Sequence, residues 1–109
     1  IHMNALSGVN NASKYYGAQT FYATSNEESQ GLAKVIQGEL KRVVDASNKR
    51  EIKPGNDKYI LKENTIPSIL IECGFLSNEK EAELLTEEEH QEKIAWAIYI
   101  GIQKYFNES

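Results

Sequence analysis

Cysteine is nearly absent from this 109-residue chain. Its single thiol, Cys73, excludes an internal disulfide framework and any all-cysteine metal site. A basic excess is missing as well. The 12 Lys and Arg are outnumbered by 16 Asp and Glu, for a formal net charge of -4, which leaves no footprint for nucleic acid or another polyanion. No apolar run approaches the ~18 to 20 residues of a membrane span, and the amino terminus has no charged leader ahead of an apolar stretch. Whether the parent protein is exported stays open at this point, because a signal could precede residue 1. There is no Gly-x-Ser-x-Gly elbow for a serine nucleophile, no Gly-rich loop to cradle a phosphate, and no internal repeat.

What is present fits one soluble globular domain: 40% hydrophobic and 26% charged residues, in a length that supports a single core. The most informative stretch is Ile66-Pro67-Ser68-Ile69-Leu70-Ile71-Glu72-Cys73-Gly74-Phe75-Leu76-Ser77-Asn78. Its β-compatible apolar residues predict a strand buried on both faces, which Pro67 opens by removing a backbone donor. An unpaired ionised carboxylate there would cost several kcal/mol, so Glu72 must be paired, protonated or used. Gly74 permits a positive φ or a close backbone approach, which predicts that Glu72 sits where the strand gives way to a turn, at the rim of a sheet. Cys73, in the same strand, reads as an inert core thiol.

Residues 7 to 17 are rich in turn formers and read as a surface loop, with Tyr15 and Tyr16 either a binding feature or, the favoured reading, the edge of a short strand over Gln19 to Ala23. Ser25-x-x-Glu28 has capping-box spacing, and Leu32, Val35, Ile36, Leu40, Val43 and Val44 then predict an amphipathic helix to about Asp45. Residues 46 to 57 read as a loop, and Tyr59 to Leu61 as a short strand. The acids from Glu79 to Glu92, Glu81 among them, read as a solvated helix face, with His90 facing solvent and not acting as a ligand. Thr86-x-x-Glu89 is a second capping-box spacing, followed by a buried stripe of Ile94, Ala97, Ile98, Gly101, Ile102 and Tyr105. The order strand, strand, helix, strand, strand, helix, helix implies an α/β fold: a mixed sheet with helices on both faces.

Few residues are left for chemistry. His2 and Asn4 share a strand face by period-two alternation, and Glu72 ends the later strand. Imidazole is a good Zn²⁺ ligand, and a carboxylate beside a metal site can take a proton from water. One His cannot build a three-ligand site. Ile1-His2-Met3 admits two readings from the residues alone, a cloning remnant or a strand whose first half is missing.

At these residues the chain resembles the zinc-dependent N-acetylmuramoyl-L-alanine amidases, specifically the carboxy-terminal half of their catalytic domain. The matching segments are Ile1-His2-Met3-Asn4-Ala5, Gly17-Ala18-Gln19-Thr20-Phe21-Tyr22, and the run from Leu61 to Asn78. The resemblance implies that residues 1–109 are the carboxy-terminal part of a single amidase domain. It implies further that His2, in the Ile-His-x-Asn motif, is a zinc ligand, that Glu72 is catalytic, and that Asn4 contacts substrate. The family's other two ligands, a His and a Glu, belong to motifs with no counterpart here, so the isolated segment is expected to hold an incomplete metal site and to be inactive. By the same resemblance the substrate is peptidoglycan, cut between N-acetylmuramic acid and L-alanine. The place of action is the cell envelope, in wall or spore cortex, and the wording is closest to the sporulation and germination amidases. A missing amino-terminal half or an activating protein is the implied partner. The competing reading is a noncatalytic module that binds cell wall or a protein partner, having lost its metal site.

Overall fold

A computed structural model describes residues 1–6, 11–55 and 65–108. The strands are β1 (His2–Asn4), β2 (Gln19–Tyr22), β3 (Lys53–Pro54) and β4 (Ile69–Phe75). The helices are α1 (Glu28–Glu39), α2 (Glu79–Leu84) and α3 (Glu88–Glu108), and a 3₁₀ turn covers Ala12–Lys14. The sheet runs β1-β4-β2-β3, with β1 parallel to β4, β2 antiparallel to β4 and β2 parallel to β3. This is the mixed α/β sheet that the sequence implies. The strand expected at Tyr59 to Leu61 lies outside the described residues.

The apolar run around β4 forms a strand because alternate residues find partners on different sides. Ile71 and Cys73 enter the main core with Ile36 of α1, Leu40 just beyond its end and Ile94 and Ala97 of α3, while Leu70 joins a smaller cluster with Ala23 and Phe21. The α1–α3 contact is close because Gly101 has no side chain: a Cβ there would lie 2.6 Å from Ile36 Cδ1 and 3.3 Å from Ile36 Cα. Of the predicted α3 stripe, Ile102 is exposed. Helix α1 gives way to a π-helical turn over Leu40–Val44 and stops at Asp45, whose N–H reaches back to Leu40 O.

Several local expectations are corrected. Ser25 does not cap α1. Asn26 Oδ1 accepts from Glu28 N at 2.9 Å, an Asx turn that captures the first free amide before the capping-box geometry can form. Thr86 Oγ1 donates to Glu83 O and so closes α2. The presumed loop at 46 to 57 contains β3, where Gly55 N extends the ladder to Tyr22 O. Tyr15 and Tyr16 precede the strand, and the Tyr15 ring lies against Phe75 with centroids 6.2 Å apart.

A buried acid links the two long helices. Glu39 on α1 accepts from Arg42 at 2.7 Å and from Lys104 on α3 at 2.6 Å. Burial works to raise its carboxyl pKa, but the hydrogen bonds and charges of Lys104 and Arg42 outweigh that and leave it below the ordinary value. A depressed folded pKa contributes stability that is full above the unfolded value and is lost as pH falls through the folded one. In the full-length protein, Glu39→Gln is expected to lower stability near neutrality by about 1 kcal/mol, a figure limited by the half-exposed cations. The difference should close as pH drops below the ~4.3 of an unperturbed glutamate. Urea midpoints for both proteins across pH 3 to 7, on the order of one unit apart, test this; a pH-independent gap would refute it.

Candidate active site

Glu72 occupies the middle of β4, not its end: the strand continues through Cys73 and Gly74 to Phe75. Gly74 takes no positive φ. Its role is the close approach, since a Cβ there would lie 2.8 Å from the Glu81 carboxyl carbon. The register sets His2 of β1 on one side of Glu72 and Gln19 of β2 on the other. Paired residues on neighbouring strands lie roughly 5 Å apart and share a face, so His2, Glu72 and Gln19 form one row across three strands.

Within that row Glu72 Oε2 is buried and has no hydrogen-bond partner, while His2 is exposed. Among the described residues the only other such buried side-chain atom is Thr20 Oγ1, which belongs to the Ile71 face that packs on the helices. An orphaned carboxylate oxygen beside an exposed imidazole is suited to water, a proton or a cation. A bulge separates His2 from Asn4, whose partner is Phe75, so the alternation expected to put Asn4 on the His2 face is interrupted. Asn4 Oδ1 instead accepts from Ala5 N at 2.8 Å.

Sequence reasoning missed the residues that hold this row in place. Glu81, placed in the solvated acidic run, is half-buried and accepts from Gly17 N with both oxygens at 2.9 Å and from Phe75 N at 2.6 Å. Asn78 caps α2 by accepting from Glu81 N, which aims the glutamate inward. Gly17 takes φ 105° against Asn48, whose Oδ1 would lie 2.6 Å from an added Cβ. Gln37, on the buried face of α1, accepts from Thr20 N and donates to Ala18 O and Arg50 O. The Asn-x-x-Glu spacing at 78 to 81 was the one available signal for Glu81, and the surrounding charge run masked it.

Cys73 is buried, and burial pushes its thiol pKa up, in keeping with an inert core residue. His90 is half-buried and not fully in solvent; it lines a cavity with Gly17, Cys73 and Glu81 on the helix side of the sheet. Alternation along β4 sets that side opposite Glu72, so His90 does not join the row. Among the described residues no group of three His, Cys, Asp or Glu could hold a metal ion.

The chain matches the N-acetylmuramoyl-L-alanine amidase family over residues 1–104. The chain belongs to that family. It is 42% identical over 108 residues to the germination-specific N-acetylmuramoyl-L-alanine amidase of Bacillus subtilis, covering 99% of this chain and 44% of that protein. The CwlD amidase from Clostridioides difficile, solved in complex with the GerS lipoprotein, is 64% identical with a TM-score of 0.90 over 98% of this chain and 52% of that one. An N-acetylmuramoyl-L-alanine amidase from Clostridium difficile 630 is 29% identical, with a TM-score of 0.84 over 96% of this chain and 54% of that one. The chain thus spans about half the length of these amidases.

Glu81→Ala would leave the Gly17 and Phe75 amides without their acceptor. Loss of charge-assisted bonds at part-buried donors is expected to cost about 2 to 3 kcal/mol, and Glu81→Gln less, because an amide oxygen still accepts. Urea unfolding of the full-length variants measures both; an unshifted midpoint for Glu81→Ala would remove the clamp from the account.

Proposed function

We propose that the full-length protein hydrolyses the amide between N-acetylmuramic acid and L-alanine in peptidoglycan, with Glu72 as proton acceptor and donor. The observation that carries this reading is the in-register placement of His2 beside Glu72, whose buried Oε2 lacks a partner. Family membership supports it, and the germination-specific relative favours spore cortex, in the cell envelope, as the place of action.

The residues present fit a share of a zinc centre: His2 would be one ligand, and the others would come from outside this segment. When the set is complete, zinc supplies carbonyl polarisation and an acidified water, as in other hydrolytic sites. Glu72 takes the proton from the attacking water as the C–O bond forms. It then returns that proton to the alanine nitrogen as the C–N bond breaks, leaving a carboxylate on the lactyl group and a free amine on the peptide. Strand β4 holds the carboxylate at fixed height between its neighbours, so the proton is exchanged without rearrangement of the backbone. Asn4, at the end of β1, serves as a substrate contact at the rim. The relative's complex with a lipoprotein supports a protein partner for this chain too.

In the full-length protein, Glu72→Gln should keep fold and metal content and lower turnover of peptidoglycan by roughly 10²- to 10⁴-fold. Release of free amino groups measures it, and activity within a factor of about two of the parent would sink the assignment. His2→Ala should lower zinc content and activity together, because a three-ligand site loses one anchor. Full zinc occupancy by metal analysis would exclude His2 as a ligand.

A further inference from the structure

Although the chain as a whole is acidic, Lys14, Lys49, Arg50 and Lys53 converge on an open cleft of about 370 Å³. The one carboxylate lining it, Glu51, lies 3.0 Å from Lys41, which lies outside the lining. Arg50 is held in place. Its Nε donates to Tyr16 O at 2.7 Å, Nη1 reaches Gln19 Oε1 at 3.5 Å, and the guanidinium lies 4.5 Å from the Phe75 ring centroid. Its main chain is fixed by Asn48 and Gln37. These contacts use part of a five-donor fork, and the group lines the cleft with an orientation set before any ligand arrives.

The cleft begins one strand from the proposed reaction site. Gln19 lines it and is the register partner of Glu72. A peptide leaving the scissile amide at Glu72 therefore has a cationic surface one strand away. We infer that this cleft binds the carboxylates of the peptide portion of the substrate, with Arg50 as the oriented anchor and Lys49 and Lys53 as mobile charges. The inference rests on the amidase reading and deepens it. Sugar rings are neutral and draw no benefit from clustered cations, whereas carboxylates form charge-assisted bonds with them. A long phosphate polymer would extend past the cleft onto an acidic protein, while a short peptide places its charges within it.

The test uses the full-length protein carrying Glu72→Gln, so that ligand is bound without turnover, and two soluble muramoyl peptides whose stem carboxylates are free or amidated. The free acid should bind about 10-fold more tightly than the amide, and Lys49→Ala with Lys53→Ala should cut that ratio to about threefold or less. Both lysines are exposed, so this double variant is expected to fold even where an Arg50 variant would not. Equal affinities, or an unchanged ratio in the double variant, overturn the inference. Displacement of both peptides alike by inorganic phosphate also overturns it, in favour of a phosphate-bearing ligand. Turnover by the parent protein is read separately: its absence sinks the amidase reading, whereas normal turnover with equal affinities sinks only the cleft.

Discussion

Two backbone N–H groups, that of Gly17 shared between both oxygens and that of Phe75, end on one carboxylate, that of Glu81, and the geometry around the proposed site depends on them. Gly17 introduces β2, Phe75 ends β4, and Asn78 and Glu81 begin α2, so a single side chain joins both neighbouring strands to the helix that follows. The requirement for glycine at 17 and at 74 follows. Gly17 needs its positive φ and has Asn48 where a Cβ would be, and Gly74 has the Glu81 side chain there. With those two backbones pinned, the β2–β4 register that sets Gln19 opposite Glu72 has little freedom to slip.

Period-two alternation then separates two chemistries on adjacent residues. Cys73 is turned toward the helices, where burial raises its pKa and holds the thiol protonated. Glu72 is turned the other way, where one oxygen is buried without a partner and the neighbouring imidazole is open to solvent. A carboxylate so placed is expensive in a merely structural role, because among the described residues its buried oxygen finds no hydrogen-bond partner. That cost is ordinary for a group retained for chemistry.

The long elements were legible because their periodicity is carried by many residues. α1, α3 and β4 each turn their predicted apolar face to the core, burying Ile36, Ile71, Ile94 and Ala97 and partly burying most of the rest, while Ile102 is exposed. Local motifs were less reliable, since Ser25 and Thr86 have capping-box spacing and neither caps: Asn26 takes the amide first, and Thr86 turns back to Glu83. Glu81 was hidden by composition, as an acid among acids reads as solvent-facing unless its distant donors are known. Gly74 left two physical options open, and only the contact with Glu81 selects between them. The proposed site was legible through motif resemblance and not through pattern. His2 and Glu72 are 70 positions apart, a spacing no periodicity rule connects, and their adjacency exists only once the parallel β1–β4 pair has formed.

The same reasoning explains how an acidic chain can present a cationic surface next to its proposed reacting group. Net charge governs long-range encounter, while the residues within a Debye length govern what settles in a cleft. Lys49, Arg50 and Lys53 come from one short segment, and that segment is held against β2 by Asn48, Gln37 and the β2–β3 pair. Its position is therefore fixed by the same polar contacts that fix Gln19 beside Glu72. Sequence averaging over the whole chain dilutes the cluster into a net charge of -4 and reads only the repulsion of long polyanions. Topology restores it, because the strand order puts this segment beside β2, whose Gln19 both lines the cleft and pairs with Glu72.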